Sequence, residues 1–164
     1  MLTTVRRHVD DVITTTHTFC FRYALNSLRI EKAFKLKGDL DYAHYSEADI
    51  NMFVAKKKDF RGKNPGAVPT RKSVSFTADV EKGYGWSLLG DSPIHRKSDG
   101  KLVGFTTTAA HGAMTQKTVA LGYLTDMAVT EDDELYVTSF DKQWDVKTHF
   151  APLAPVLGRA NPWE

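Results

Sequence analysis

Glu31 is the residue best placed to do chemistry on a ligand. It follows Ala24-Leu25-Asn26-Ser27-Leu28-Arg29-Ile30 and precedes a break at Gly38-Asp39. At a helical period of about 3.6 residues, Leu25 and Leu28 are expected to face a core, with Ile30 at the flank. Asn26, Arg29 and Glu31 then fall toward the other side. A carboxylate held on a packed element suits a ligand edge with two adjacent N–H donors, because its two oxygens accept in parallel. The plainer alternative is a solvated glutamate paired with Lys35 at i+4.

A second concentration of chemistry is basic. Lys56, Lys57, Lys58, Arg61, Lys63, Arg71 and Lys72 put seven positive charges around a breaker cluster, against Asp59. A solvated loop accounts for this run, as does a dock for an anionic ligand tail. A nucleic-acid footprint fits poorly, since no aromatic-interleaved binding module accompanies it. Glu131, Asp132, Asp133 and Glu134 form an acidic counterpart that reads as a solvated turn.

Other chemistry finds little support. The six histidines are scattered, with no HxxxH pair and no cysteine at ligand spacing, so no metal site is expected. There is no GxSxG, and Phe19-Cys20-Phe21 is the setting of a buried, inert thiol. Gly83-Tyr84-Gly85-Trp86 reads as a turn and not as a phosphate loop.

The elements that position these residues can be read from pattern. Val5, Val9, Val12 and Ile13 fall at helical spacing, although threonines at 3, 4, 14, 15, 16 and 18 weaken that reading. A helix is predicted from Tyr23 to about Lys35, closed by Gly38. Residues 50–55 are predicted as a short strand, and Asn64-Pro65-Gly66 as the boundary between two parts, 1–66 and 67–164. Beyond it come strands: Ser73 to Ala78, Ile94, Leu102 to Phe105, Val119 to Leu124, Glu134 to Phe140 and Val146 to Phe150. Ser98-Asp99-Gly100-Lys101 signals a hairpin. Many short strands separated by turns suggest a small antiparallel barrel or sandwich.

Composition agrees with a globular chain. It has 164 residues, 41% apolar and 26% charged, with a net charge of +2. That length buries about 70% of the unfolded surface. The small charge does not call for a polyanionic partner. The single Cys20 excludes an internal disulfide and fits a reducing compartment. No apolar run approaches membrane-spanning length, and Arg6 and Arg7 have no apolar stretch behind them, so a cytoplasmic protein is expected.

Several motifs in order resemble one family. Ser27-Leu28-Arg29-Ile30-Glu31 is similar to the SLRLE signature of the tetrahydrofolate-binding aminomethyltransferases, which include the glycine cleavage T-protein and the folate domains of dimethylglycine and sarcosine dehydrogenases. Glu47 to Val54 resembles the EAGLxxFV strand of that family, and Asp59-Phe60-Arg61-Gly62-Lys63 its DFIGK turn. Gly90 to Ile94, Asp99 to Gly104, Thr106 to Ala110 and Val119 to Leu124 resemble its GEPI, DGKxVG, TSAA-like and following strand segments. The agreement runs from about Tyr23 to Pro155.

The resemblance implies an α+β, mostly β protein: the C-terminal portion of a folate-binding α+β domain (1–66), then a small antiparallel β-barrel (67–164). It implies tetrahydrofolate as cofactor, with Glu31 holding the pterin through its 2-amino group and ring N–H. It also implies that Lys58, or Lys57 in the alternative register, meets the glutamate carboxylates of the folate. A lysine there is a point charge without bidentate geometry.

The chain also departs from the family. The acid that assists one-carbon transfer lies well upstream of SLRLE in relatives, whereas about thirty residues precede Glu31 here. Asp10 and Asp11 are too close to the motif to replace it, the helix after DFIGK gives way to Asn64-Pro65-Gly66, and Ala33 stands where glycine is usual. No catalytic residue is therefore assigned. The expectation is a subunit or C-terminal part of a folate-dependent aminomethyl or methyl transferase, completed by a partner subunit or by homo-oligomerisation. The alternatives are a non-catalytic, partner-binding scaffold and an unrelated binder that shares only the barrel.

Overall fold

The computed structural model describes residues 22–41, 43–50, 53–55, 57–61, 68–80 and 90–153. The expected N-terminal helix, Cys20, the 66/67 boundary and Gly83 to Trp86 lie outside the described residues. The protein is mostly β, as the sequence pattern indicated.

Six strands form a closed antiparallel barrel: β1 (Lys72–Ala78), β2 (Pro93–Arg96), β3 (Leu102–His111), β4 (Thr118–Leu124), β5 (Leu135–Ser139) and β6 (Lys142–His149). Their order around the barrel is β1-β4-β3-β2-β5-β6, and β6 returns to β1 through the Phe76↔Thr148 register. Closure leaves no strand edge open to pairing with another chain. Val74, Phe76, Ile94, Val103, Ala120, Leu124, Leu135 and Val137 fill the interior, so the barrel is a packed core.

The turns follow from their residues, with one surprise. Gly100, at φ +68°, lets the predicted β2–β3 hairpin close, and Asp99 Oδ1 accepts the Lys101 N–H at 3.1 Å. The β5–β6 hairpin turns on Phe140 and Asp141, both at positive φ, without glycine. That absence hid the turn from sequence pattern, so β6 starts at Lys142, four residues before the expected Val146.

All seven residues of β4 are buried, because both of its faces are covered. Ala120 and Leu124 point into the barrel. Val119 and Leu121 pack instead against Ile30 of a helix, α1, that spans residues 22–31. Tyr123 donates to the carbonyl of Asp39, in the one-turn helix α2 (Lys37–Leu40), at 2.6 Å. The N-terminal segment is thus a lid on the outer face of β3 and β4.

The expected helix from Tyr23 to Lys35 is shorter than its pattern. It stops after Glu31 because Ala33 adopts φ +56°. The Phe34 N–H then bonds Arg29 O at 2.8 Å, and the Ala33 N–H bonds Ile30 O at 2.9 Å. That pair of bonds is a Schellman cap with alanine in the glycine position. Gly38 lies inside α2 and caps nothing. The strand expected over 50–55 is also absent among the described residues: Phe53 bonds back to Ile50 in a short turn.

The largest correction concerns the phase of α1. Leu25 and Leu28, expected in a core, are 53% and 44% exposed. Ser27, Ile30 and Glu31 are the buried face.

Candidate functional site

Two polar networks hold α1 to the barrel, and both use side chains that hydropathy alone would leave outside. The first surrounds the β3–β4 hairpin loop. Ser27 Oγ donates to His111 O at 2.6 Å and accepts the Ala113 N–H at 3.1 Å. Glu31 Oε1 accepts the N–H groups of Met114 and Thr115, each at 2.9 Å, and the Thr115 hydroxyl at 3.1 Å. A Cβ on Gly112 would stand 2.6 Å from Glu31 Oε1 and collide with Thr115 Oγ1, so only glycine lets the loop close on the carboxylate.

Glu31 is 0% exposed, which removes the solvated reading and the surface pair with Lys35. Its two oxygens are unequal. Oε1 is filled by three donors, while Oε2 is buried with no hydrogen-bond partner among the described residues. A buried acceptor without a donor costs of order 1–3 kcal/mol, more for a charged group, and so calls for an explanation. A carboxylate with one committed oxygen can receive further donors only through the other. The parallel acceptance expected from sequence is thereby reduced to Oε2.

The second network centres on Asp39. Its Oδ2 accepts from Arg29 Nη1 at 2.7 Å and from the Leu36 N–H at 2.9 Å, and its Oδ1 accepts the Thr107 hydroxyl at 2.6 Å. Arg29 also reaches Asn26 Oδ1 at 2.8 Å, Phe34 O at 3.0 Å and Thr108 Oγ1 at 3.2 Å. A bulge in β3 between Thr106 and Thr108 makes this possible. It aims the adjacent hydroxyls of Thr107 and Thr108 at the lid, where strict alternation would send one inward. Burial, helped by the Asp39 charge, pushes the Tyr123 phenol up to about 12, so it stays a donor.

A third tether joins the 43–49 turn to β1. Glu47 Oε1 accepts the N–H and hydroxyl of Thr70 at 2.9 and 2.8 Å, and Oε2 accepts the His44 N–H at 3.1 Å. Burial works to raise its pKa. The bonds from Thr70 and His44, with Arg71 at 3.9 Å, outweigh burial and bring it down to about 2. Asp49, where the family pattern has glycine, sits at φ +56°.

The other candidate residues are elsewhere. Lys57 and Lys58 are exposed on a turn, and no hydrogen bond or ion pair joins them to Glu31 among the described residues. Lys72 lies over the Phe150 ring at 3.5 Å, and Arg71 faces Glu47, so part of the basic run is structural. The acidic turn is partly structural too: Glu131 accepts the Phe150 N–H at 2.6 Å. No three metal-ligating side chains cluster among the described residues. No helix of the described residues is long and apolar enough to cross a membrane.

Sequence reading missed Ser27, Asp39, Thr107, Thr108 and Tyr123. A half-buried arginine calls for a carboxylate, but nothing in one sequence says which; Asp39 passed as part of a break.

Comparison with known proteins is consistent with this geometry. Residues 71–154 match the profile of the family described as glycine cleavage T-protein C-terminal barrel domain. Twenty-one chains of solved structures match. One is the glycine cleavage system aminomethyltransferase T from Bartonella henselae, with a TM-score of 0.64 and 20% identity. The match covers 79% of this chain and 37% of that one. No curated protein matches.

Proposed function

Because the chain belongs to the family of the glycine cleavage T-protein C-terminal barrel domain, we propose that it is one part of a tetrahydrofolate-dependent one-carbon transferase, completed by further polypeptide. The observation that carries this reading is the unpartnered, buried Oε2 of Glu31. It is an acceptor held in place by the three donors on Oε1, and an N–H of a reduced pterin would satisfy it. The 112–116 loop, itself tied to Ser27, holds the carboxylate in one orientation, and Lys58 or Lys57 would offer a point charge to the carboxylates of a folate tail. Bound tetrahydrofolate supplies the N5 and N10 that carry the one-carbon unit. The chain contributes binding, orientation and exclusion of water. The chain spans 37% of the solved aminomethyltransferase, so the acid for the transfer would come from the rest of the assembly.

Titration calorimetry with 5-formyltetrahydrofolate tests this. Glutamine at position 31 keeps an amide oxygen for Met114 and Thr115 but puts an NH2 donor where Oε2 accepts. Glu31→Gln is expected to weaken binding at least about tenfold, the worth of one charge-assisted bond, with little loss of stability. Equal affinity for both proteins overturns the assignment of Glu31. A second reading, a non-catalytic scaffold, is favoured by the commitment of Oε1 to the barrel loop. Failure of the wild-type chain to bind folate, alone or in its assembly, would support it.

A further inference from the structure

The face of α1 that turns away from the barrel is apolar and open. Tyr23, Leu25, Phe34 and Leu36 wall a groove of about 700 Å³, and each is more than 40% exposed. Leu28 extends the apolar surface alongside. Monomeric proteins seldom leave so many large apolar side chains together on one short segment. Leu25 and Leu28 do not join the helix to the barrel, a role taken by Ser27, Ile30 and Glu31.

The charges at this groove name its partner. Three cations line it: Arg22, Arg29 and Lys35. Arg29 is neutralised by Asp39 and makes four hydrogen bonds. Arg22 and Lys35 enter no ion pair among the described residues. Burial holds the Lys35 ammonium below its ordinary range, against the pull of Asp49 and Asp39, so an added carboxylate would stabilise its charged form. A second copy of this chain is the wrong occupant. A two-fold contact would set Arg22 and Lys35 against the same cations on the other copy.

We propose that this groove is a docking surface for a protein segment of opposite character: an amphipathic stretch whose apolar side chains enter between Leu25 and Phe34 and whose flanking Asp or Glu residues pair with Arg22 and Lys35. The inference needs no folate and stands whether or not Glu31 binds a pterin.

The probe is a synthetic amphipathic peptide with leucines at i, i+3, i+4 and i+7 flanked by glutamates, with a lysine-flanked twin, each titrated against the full chain by fluorescence anisotropy. The glutamate peptide is expected to bind about tenfold or more tighter than its twin, and less tightly as salt rises. Leu25→Asp abolishes binding with an unchanged melting temperature, because Leu25 is exposed. The double variant Arg22→Glu, Lys35→Glu exchanges the preference, taking the lysine peptide in place of the glutamate one. A misfolded protein cannot produce that exchange. Equal affinity for both peptides, no binding of either, or binding indifferent to Leu25→Asp overturns the proposal. So does a dimer of the chain alone that Leu25→Asp dissociates, since the groove is then closed by its own copy.

Discussion

The two faces of α1 differ in the opposite sense from an ordinary amphipathic helix. The face against the barrel carries Ser27 and Glu31 beside Ile30, and all three are buried. The face toward solvent carries Tyr23, Leu25 and Leu28. Polar groups go inside here because the element they meet is not an apolar sheet but a hairpin loop in which the N–H groups of Ala113, Met114 and Thr115 are satisfied from the helix. Ser27 and Glu31 supply acceptors for Ala113, Met114 and Thr115. Burial follows hydrogen-bond satisfaction as firmly as it follows hydropathy. The apolar face is then left for something outside the described chain.

Three experiments would break or sharpen that contrast. The largest effect belongs to Asp39, which joins the lid to the barrel through Arg29, Thr107 and Leu36. Asp39→Ala leaves a half-buried guanidinium without its carboxylate and is expected to cost about 2–3 kcal/mol. Leu25→Ala on the opposite face should change stability by less than about 0.5 kcal/mol. Thermal melts of both variants compare the faces directly, and equal losses would erase the distinction.

The second effect is set by acid. The Glu47 carboxyl is held at about 2, below the ordinary 4.5, so its bonds stabilise the fold fully above about pH 4.5 and are lost as pH falls toward 2. Glu47→Gln should melt below the wild type at neutral pH, and the gap should close between pH 4.5 and 2. A gap that does not change with pH would show that this carboxylate is no tether.

The smallest effect is at the cap that ends α1 and sends Phe34 and Leu36 outward. Ala33 occupies a left-handed conformation that costs an L-residue about 1–2 kcal/mol. Ala33→Gly is expected to raise stability by about 0.5–1 kcal/mol after glycine's own entropy loss. A chemical-denaturation midpoint that falls instead would deny the strain.

Much of this was readable in one dimension. β1 and β4 appear where alternation and a continuous apolar run put them, and Asp99-Gly100 turns the β2–β3 hairpin. The helix around Arg29 and Glu31 was visible in its period and misplaced in its phase. Period is local, whereas phase depends on what the helix meets, and the loop that meets it lies about eighty residues further on. The β5–β6 turn gave little signal because Phe140 is no turn former and Asp141 has no glycine beside it; strand pairing on both sides accompanies their positive φ.

Sequence alone determined the β-rich class, the kinship carried by residues 71–154, and the choice of Glu31 as a residue to watch. Tertiary structure alone decided that Glu31 keeps one oxygen for the loop and leaves the other unpartnered, that Asp39 answers Arg29, and that the leucines face outward. Backbone pattern is written in neighbouring residues and can be read along the chain. Partnership between polar groups is settled by geometry across the fold, where one donor or acceptor chooses among many distant candidates.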